Sequence, residues 1–354
     1  MTRVRSVLQR STLARSLAWV VVAAVILVIA SNLLSAYNNL QLATGLYYFA
    51  ALGGLTVLAG QSGQISLGHG ALMAVGAYTV ALLIGNEGWA LVPAIAGGVV
   101  VSVLVGIPVG VAASRLRGPY LAGATLAFAV GLPALADRFP SLLGGENGLT
   151  VNPPVPPSWL GADFPLEQWE ALIAGVGALV VLFVLYNVIG SGVGRSLRAV
   201  RDDEVAASLC GLSVGRTQTT AFILSAGCAG LAGAILAVVL QLAQPGAFPL
   251  QLSLALLTGV VLGGLGSLVG AMWGAALLTL LPNWTTNLAD SFSLSQKVSA
   301  NLPLAIYGVV LIVAMILWPS GIQGGLRALT ERVRARRRPA AAGRASGAST
   351  PGSA

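Results

Sequence analysis

Charge is scarce in this sequence. Asp, Glu, Lys and Arg make up 8% of its 354 residues, against roughly 25% in a soluble domain. That scarcity excludes an ordinary soluble globular protein. With 56% hydrophobic residues and a mean hydropathy of +0.85, the chain reads as an all-α, polytopic transmembrane helix bundle. Lysine is scarcer still: there is one, Lys297, and Val298 follows it. A phosphate-cradling loop needs Gly-Lys followed by Ser or Thr, so the chain has no Walker A loop. ATP hydrolysis, if it drives this protein, belongs to another polypeptide. The single histidine has no acid beside it and cannot build a metal site. The two cysteines, Cys210 and Cys228, form no C-x-x-C and read as small packing residues. No acid falls inside an expected span, which counts against a proton-coupled secondary transporter. Neither a nucleophile with its base nor a metal cluster marks an intramembrane enzyme. The net charge of +8 comes from arginines that flank apolar spans and form no basic face, so nucleic acid is not an expected partner.

The few charges count the crossings. An arm of residues 1–16 carries Arg3, Arg5, Arg10 and Arg15, and the apolar span behind it is longer than a signal-peptide core. From Arg15 to Glu87 there are 71 uncharged residues, room for three spans at about 20 residues each. Single crossings follow over Gly88–Ser114, Gly118–Ala136 and Ala171–Gly194. A second uncharged run, Thr217–Ala289, holds three more, and Val298–Leu326 one. The spacing thus predicts ten spans within residues 17–326, with an external loop at 137–170 and a basic, disordered tail at 327–354. Both termini fall on the cytoplasmic side, which places 17 of the 19 basic residues inside and 7 of the 11 acids outside. The external stretch Asn152-Pro-Pro-Val-Pro-Pro157 can be neither regular helix nor inner strand.

The two long runs suggest an internal repeat with broken helices. The first contains Gly60-Gln-Ser-Gly-Gln-Ile-Ser-Leu-Gly-His-Gly70, the second Gly263-Gly-Leu-Gly-Ser-Leu-Val-Gly270. Paired Gly-rich breaks in apolar segments point to a transport pathway. Gln61, Gln64, Ser66 and His69 either line a passage for a polar solute or satisfy the backbone of the break itself. Gly259, Gly263, Gly266, Gly270 and Gly274 lie at helical spacings that let helix backbones approach closely. Between the runs lies an island of charge, residues 194–216, with Arg195, Arg198, Arg201 and Arg216 against Asp202, Asp203 and Glu204. It must sit in water. Its interior reads as one short helix with Ser196 as N-cap, an Arg198–Asp202 pair at i,i+4 and a stop at Gly211. Such a helix is either a grip for a soluble partner or a solvated loop.

Gly60 to Tyr78 closely resembles the signature of the inner-membrane permeases of branched-chain amino acid ABC importers. Arg117-Gly-Pro-Tyr-Leu-Ala122, Gly144-Gly-Glu-Asn-Gly-Leu149 and Val261 to Gly270 fit the same family, and together they resemble the longer of its two permease subunits. The likeness runs from about Leu42 to Ile322. It implies that the island is the loop on which the ATPase docks, through Arg198, Arg201, Asp202, Glu204, Ala206, Ala207 and Gly211. It further implies a heterodimer with a second permease, two ATP-binding cassette subunits carrying ATP and Mg, and an extracytoplasmic solute-binding protein. The chain itself would bind no cofactor and do no chemistry. It would pass branched-chain or related hydrophobic amino acids across the cell inner membrane. A permease for urea or short-chain amides of the same superfamily is the alternative.

Overall fold

The structure, a computed structural model, describes residues 12–116, 118–161, 164–291 and 321–336, with isolated positions between 306 and 316. The expected arm up to residue 11, Lys297, most of the last expected span and the tail beyond Arg336 lie outside them.

Three helices fill the first uncharged run: α1 (Thr12–Leu33), α2 (Ala36–Leu55) and α3 (His69–Gly85). The turns of α2 continue as a π-helical segment, Thr56–Gln61. Then come α4 (Leu91–Ala113), α5 (Pro119–Arg138) and α6 (Leu166–Gly190). The charged island forms two short helices, α7 (Gly192–Asp202) and α8 (Glu204–Leu209). The second run again holds three helices: α9 (Val214–Leu240), α10 (Leu250–Gly263) and α11 (Leu268–Ser291). A final helix, α12 (Gly321–Arg336), packs on α10 and α11, so residues 327–336 of the tail expected to be disordered are instead helical. Among the described residues, seven helices are long and apolar enough to cross a membrane, and α3 and the first part of α11 are shorter apolar helices. These are nine of the ten expected spans; the tenth falls mostly outside the described residues.

Helices α2 and α9 form the centre. Ala43, Tyr47, Leu52 and Leu55 of the one and Phe222, Ala229 and Ile235 of the other are buried. Small residues let the helices close on them. A Cβ on Gly233 would strike the carbonyl of Met73, and one on Gly76 the carbonyl of Gly230, so α3 and α9 touch backbone to backbone. The contacts repeat. Helices α3 and α4 pack on each other and on α9, as α10 and α11 pack on each other and on α2. The repeat is therefore offset by one span from the two uncharged runs, because α1 lies outside it, against α6.

The two ends of the bundle are built differently. At one end the Arg15 guanidinium lies 5.9 Å over the Tyr186 ring, and Ser16 Oγ donates to Asn187 Oδ1 at 3.2 Å, just before the island. At the other, β1 (Leu149–Thr150) pairs antiparallel with β2 (Leu242–Ala243), and Val151 N–H donates to Gln241 O at 2.9 Å. The Pro-rich stretch beyond β1 contains no helix up to Pro157. One expectation needs correcting here. Glu170 does not precede its span: it sits in the second turn of α6, buried, and accepts from Gln241 Nε2 at 3.3 Å. The helix starts five residues before the first uncharged position because Pro165 sets its N-terminus, and Gln241 gives the carboxylate a partner.

Candidate functional site

The break after α2 is built by its glycines. The π-helical turn ends when Ser62 N–H reaches back to Val57 O, and Gly63 takes φ +74°, a left-handed conformation. Residues 62–68 then run back along the bundle, so that α3 begins well inside it. His69 Nε2 donates to Ala51 O at 2.8 Å, ten residues up α2 from Gln61, a rise of about 15 Å. That bond places the proton on Nε2 and leaves Nδ1 to accept from Ser225 Oγ at 3.4 Å. Gly70 N–H donates to Ser253 Oγ at 3.0 Å, so the first turns of α3 and α10 meet within the bundle. The segment that brings α10 there is residues 241–249, and it is the structural counterpart of 62–68. The Gly-rich stretch 263–270 instead supplies the turn between α10 and α11.

That turn closes against the first break. A Cβ on Gly60 would overlap the backbone nitrogen of Gly266 and stand 2.5 Å from its Cα. Gln61, buried beside it, uses both ends of its amide: Nε2 donates to Gly266 O at 2.8 Å, and Oε1 accepts from Arg198 Nη1 at 2.9 Å. Arg198 Nη1 also donates to Ile189 O at 3.2 Å. From the next turn of α7, Arg201 Nη1 donates to Gly60 O at 2.7 Å, while its Nε and Nη2 hold Asp202 Oδ1 at 3.0 and 2.7 Å. The expected Arg198–Asp202 pair is therefore not made. Asp202 pairs with its neighbour Arg201, and Arg198 turns into the bundle, where buried carbonyl and amide oxygens need a donor.

The island differs from expectation in its caps as well. Two helices replace one. Ser191, not Ser196, caps α7, accepting from Val193 N–H at 3.2 Å. Asp203 caps α8, its Oδ1 accepting from the N–H groups of Val205 and Ala206 at 2.8 and 3.0 Å. Gly211, at φ +83°, ends α8 as expected, with Leu212 N–H donating to Ala207 O at 3.1 Å. Ala207 is buried on the bundle side, and Glu204 Oε1 accepts from Gln218 Nε2 at 2.9 Å. Ala206 and Gly211 are exposed. The side chains that project furthest are Val205, at 70% exposure, and Leu209, at 84%, of which the sequence reading passed over Leu209. Cys210 is exposed too, and only Cys228 is a buried packing residue.

Between the break, the start of α5 and the island lies an open cavity of about 640 Å³, lined by Ser62, Gln64, Ile65, Leu121, Arg201 and Gln218 among others. Of the four residues expected along a pathway, Gln64 faces this cavity. Gln61 is held in the contact just described, Ser66 Oγ accepts from Gly68 N–H at 3.3 Å, and His69 braces α2 against α9. The five glycines act within the chain. A Cβ on Gly263 would meet the carbonyl of Gly270, and one on Gly274 the carbonyl of Gly259, so α10 and α11 lie backbone to backbone, with Gly266 in their turn. Thr125, which accepts from Leu67 N–H at 3.0 Å, and Ser253 also fix the break. A polar residue inside an apolar helix was their only signal in the sequence.

Residues 36–316 match a family described as the branched-chain amino acid transport system permease component. The high-affinity branched-chain amino acid transport system permease protein LivM of Salmonella typhimurium is 33% identical over 69% of this chain and 62% of its own length. The LivM of Escherichia coli is 32% identical over 73% of this chain and 66% of its own. LivH of Escherichia coli, named as a permease protein of the same kind of system, is 25% identical over 77% of this chain and 89% of its own. The chain spans a little under two thirds of the length of the LivM proteins it matches. No solved structure matches it. The match over most of the apolar helices, with the break and the island inside it, settles the family: this chain belongs to the permease components of branched-chain amino acid transport systems.

Proposed function

We propose that this chain is the membrane-spanning permease subunit of an ATP-driven importer that carries branched-chain or related hydrophobic amino acids into the cytoplasm. It is non-catalytic, and ATP and Mg are bound on a separate chain. The observation that carries this reading is α8. A six-residue helix capped at both ends holds Val205 and Leu209 out into water, where apolar side chains gain about 1.5–3 kcal/mol each from burial against a partner. The chain has no nucleotide loop of its own, and the family resemblance implies an ATP-binding cassette subunit, one of two, as the partner for this helix. A second permease completes the membrane unit, and a solute-binding protein delivers substrate at the opposite end, beside β1 and β2. The protein lies in the cytoplasmic membrane with the island and both termini in the cytoplasm, the side on which its arginines collect. The names of the relatives support the substrate class.

Reconstitution in vesicles tests this. With a partner permease, the ATPase and the binding protein, the chain should take up leucine, isoleucine or valine only when ATP is present. Uptake without ATP, or uptake of urea and short amides in preference to leucine, would overturn the assignment.

A further inference from the structure

The contact between the island and the helix break has no place in a simple docking loop. Gln61 joins three parts of the chain at one buried amide: α7 through Arg198, the π-helical end of α2, and the α10–α11 turn through Gly266. Arg201 repeats the link one helical turn further along α7, to Gly60 O. The partners lie 137, 141 and 205 residues apart in the chain, so no local preference brings them together. An amide suits this position because one end donates and the other accepts. A carboxylate could not donate to Gly266, and an apolar group could do neither. Charge-assisted bonds to Arg198 are among the stronger ones a partly buried site can make. Gly60 and Gly266 leave no gap between the break and the turn, so displacement of one displaces the other.

We propose that Gln61 is a transmission residue. Resting on the reading of the island as the ATPase docking loop, the proposal is that Arg198 and Arg201 pull on Gln61 and Gly60, so that both Gly-rich segments move with α7 when the ATPase closes. Gln61 thus couples hydrolysis to opening and does not contact the solute. A rigid link is required because docking at α8 changes the passage only if the two states of the island select two states of the break.

The test uses the assembled transporter in vesicles, with uptake and ATP hydrolysis measured on the same preparation. Gln61→Leu replaces the amide by an apolar group and removes both bonds; Arg198→Leu removes the guanidinium that Gln61 accepts from. Each should lower amino acid uptake per ATP hydrolysed by about tenfold, the worth of a hydrogen bond to a charged group. Gln61→Leu leaves the ATPase bound and hydrolysing, and ATPase binding to the arginine variants is measured on the same preparation so that the ratio counts bound ATPase alone. The loss in the double variant should be smaller than the sum of the two single losses, because both variants remove the Gln61–Arg198 bond. Arg198→Lys, able to make one of the two bonds, should recover part of the ratio. If Gln61→Leu fails to assemble, Arg198→Leu and Arg198→Lys carry the test alone. An unchanged ratio in the arginine variants, or effects that simply add, overturns the proposal. A wild type without ATP-dependent uptake would refute the importer reading instead, and the two failures are told apart by that control.

Discussion

Replacing Gly60 with alanine probes how tightly the break is held. The new methyl carbon would stand 2.5 Å from Gly266 Cα and 3.2 Å from Leu265 C, where carbon atoms normally keep about 3.5–4.0 Å. All the obstructing atoms are backbone, so no side chain can swing away. The α10–α11 turn must withdraw by about 1 Å, an overpacking strain of about 1–3 kcal/mol. The same shift stretches the 2.8 Å bond from Gln61 Nε2 to Gly266 O beyond hydrogen-bond range, a loss of about 0.5–1.5 kcal/mol. Against this, alanine is favoured over glycine in a helical turn by about 0.5–1 kcal/mol. The net expectation is a destabilisation of about 1–3 kcal/mol, a drop of a few degrees in the melting temperature of the purified protein in detergent. Gly123→Ala is the control. Gly123 also lies in a helix, but nothing stands within 4 Å of its added Cβ, so this variant should melt at or above the wild-type temperature. A Gly60→Ala protein as stable as wild type, or an equal loss in both variants, would refute the reasoning.

Two further outcomes follow from the same geometry. The chain carries its own topology reporter: Cys210 is exposed on the island and Cys228 is buried. A membrane-impermeant maleimide should therefore miss Cys210 in intact cells and label it after permeabilisation. With Cys210 replaced, cysteines placed at Asn147 or Ser158 should be labelled from outside, and the opposite pattern overturns the crossing order. His69→Leu removes the donor to Ala51 O and the acceptor for Ser225 Oγ, both buried. It should lower stability by about 1–3 kcal/mol, as an unsatisfied buried polar group does, and a melting temperature equal to wild type contradicts the bracing role.

Much of the architecture is legible in the charges because a membrane leaves so few places for them. Arg15, Glu87, Arg115, Asp137 and the island bracket the helices within a few residues, since hydrocarbon excludes ionised groups sharply. The Gly60–Gly70 break is legible for a related reason: five polar side chains in an uncharged run must be satisfied internally. What stayed hidden was their partners. Arg198 and Asp202 stand at the right spacing for a helical pair, yet the tertiary acceptors at Gln61 and Ile189 lie outside any local pattern and win because they are partly buried. Asp203 caps a second helix only because the chain bends there (φ −158°, ψ 109°), which no periodicity marks. The counterpart of the break, residues 241–249, was missed because its signal is one left-handed residue, Gln241 at φ +54°, and not a run of glycines. The stretch 263–270 is glycine-rich for another purpose, the close approach of α10 and α11.

The central claim, that a separate ATPase grips this chain at α8, is tested most directly by the affinity between the purified permease and its ATPase when Leu209 is changed to Asp. Leu209 is 84% exposed and makes no contribution to the permease core, so the permease should melt at its usual temperature. Losing the burial of one leucine, about 1.5–3 kcal/mol, predicts a Kd raised at least tenfold, and burying the new carboxylate adds to that. An ATPase that binds the variant as tightly as the wild type would contradict the account and leave the island a solvated loop.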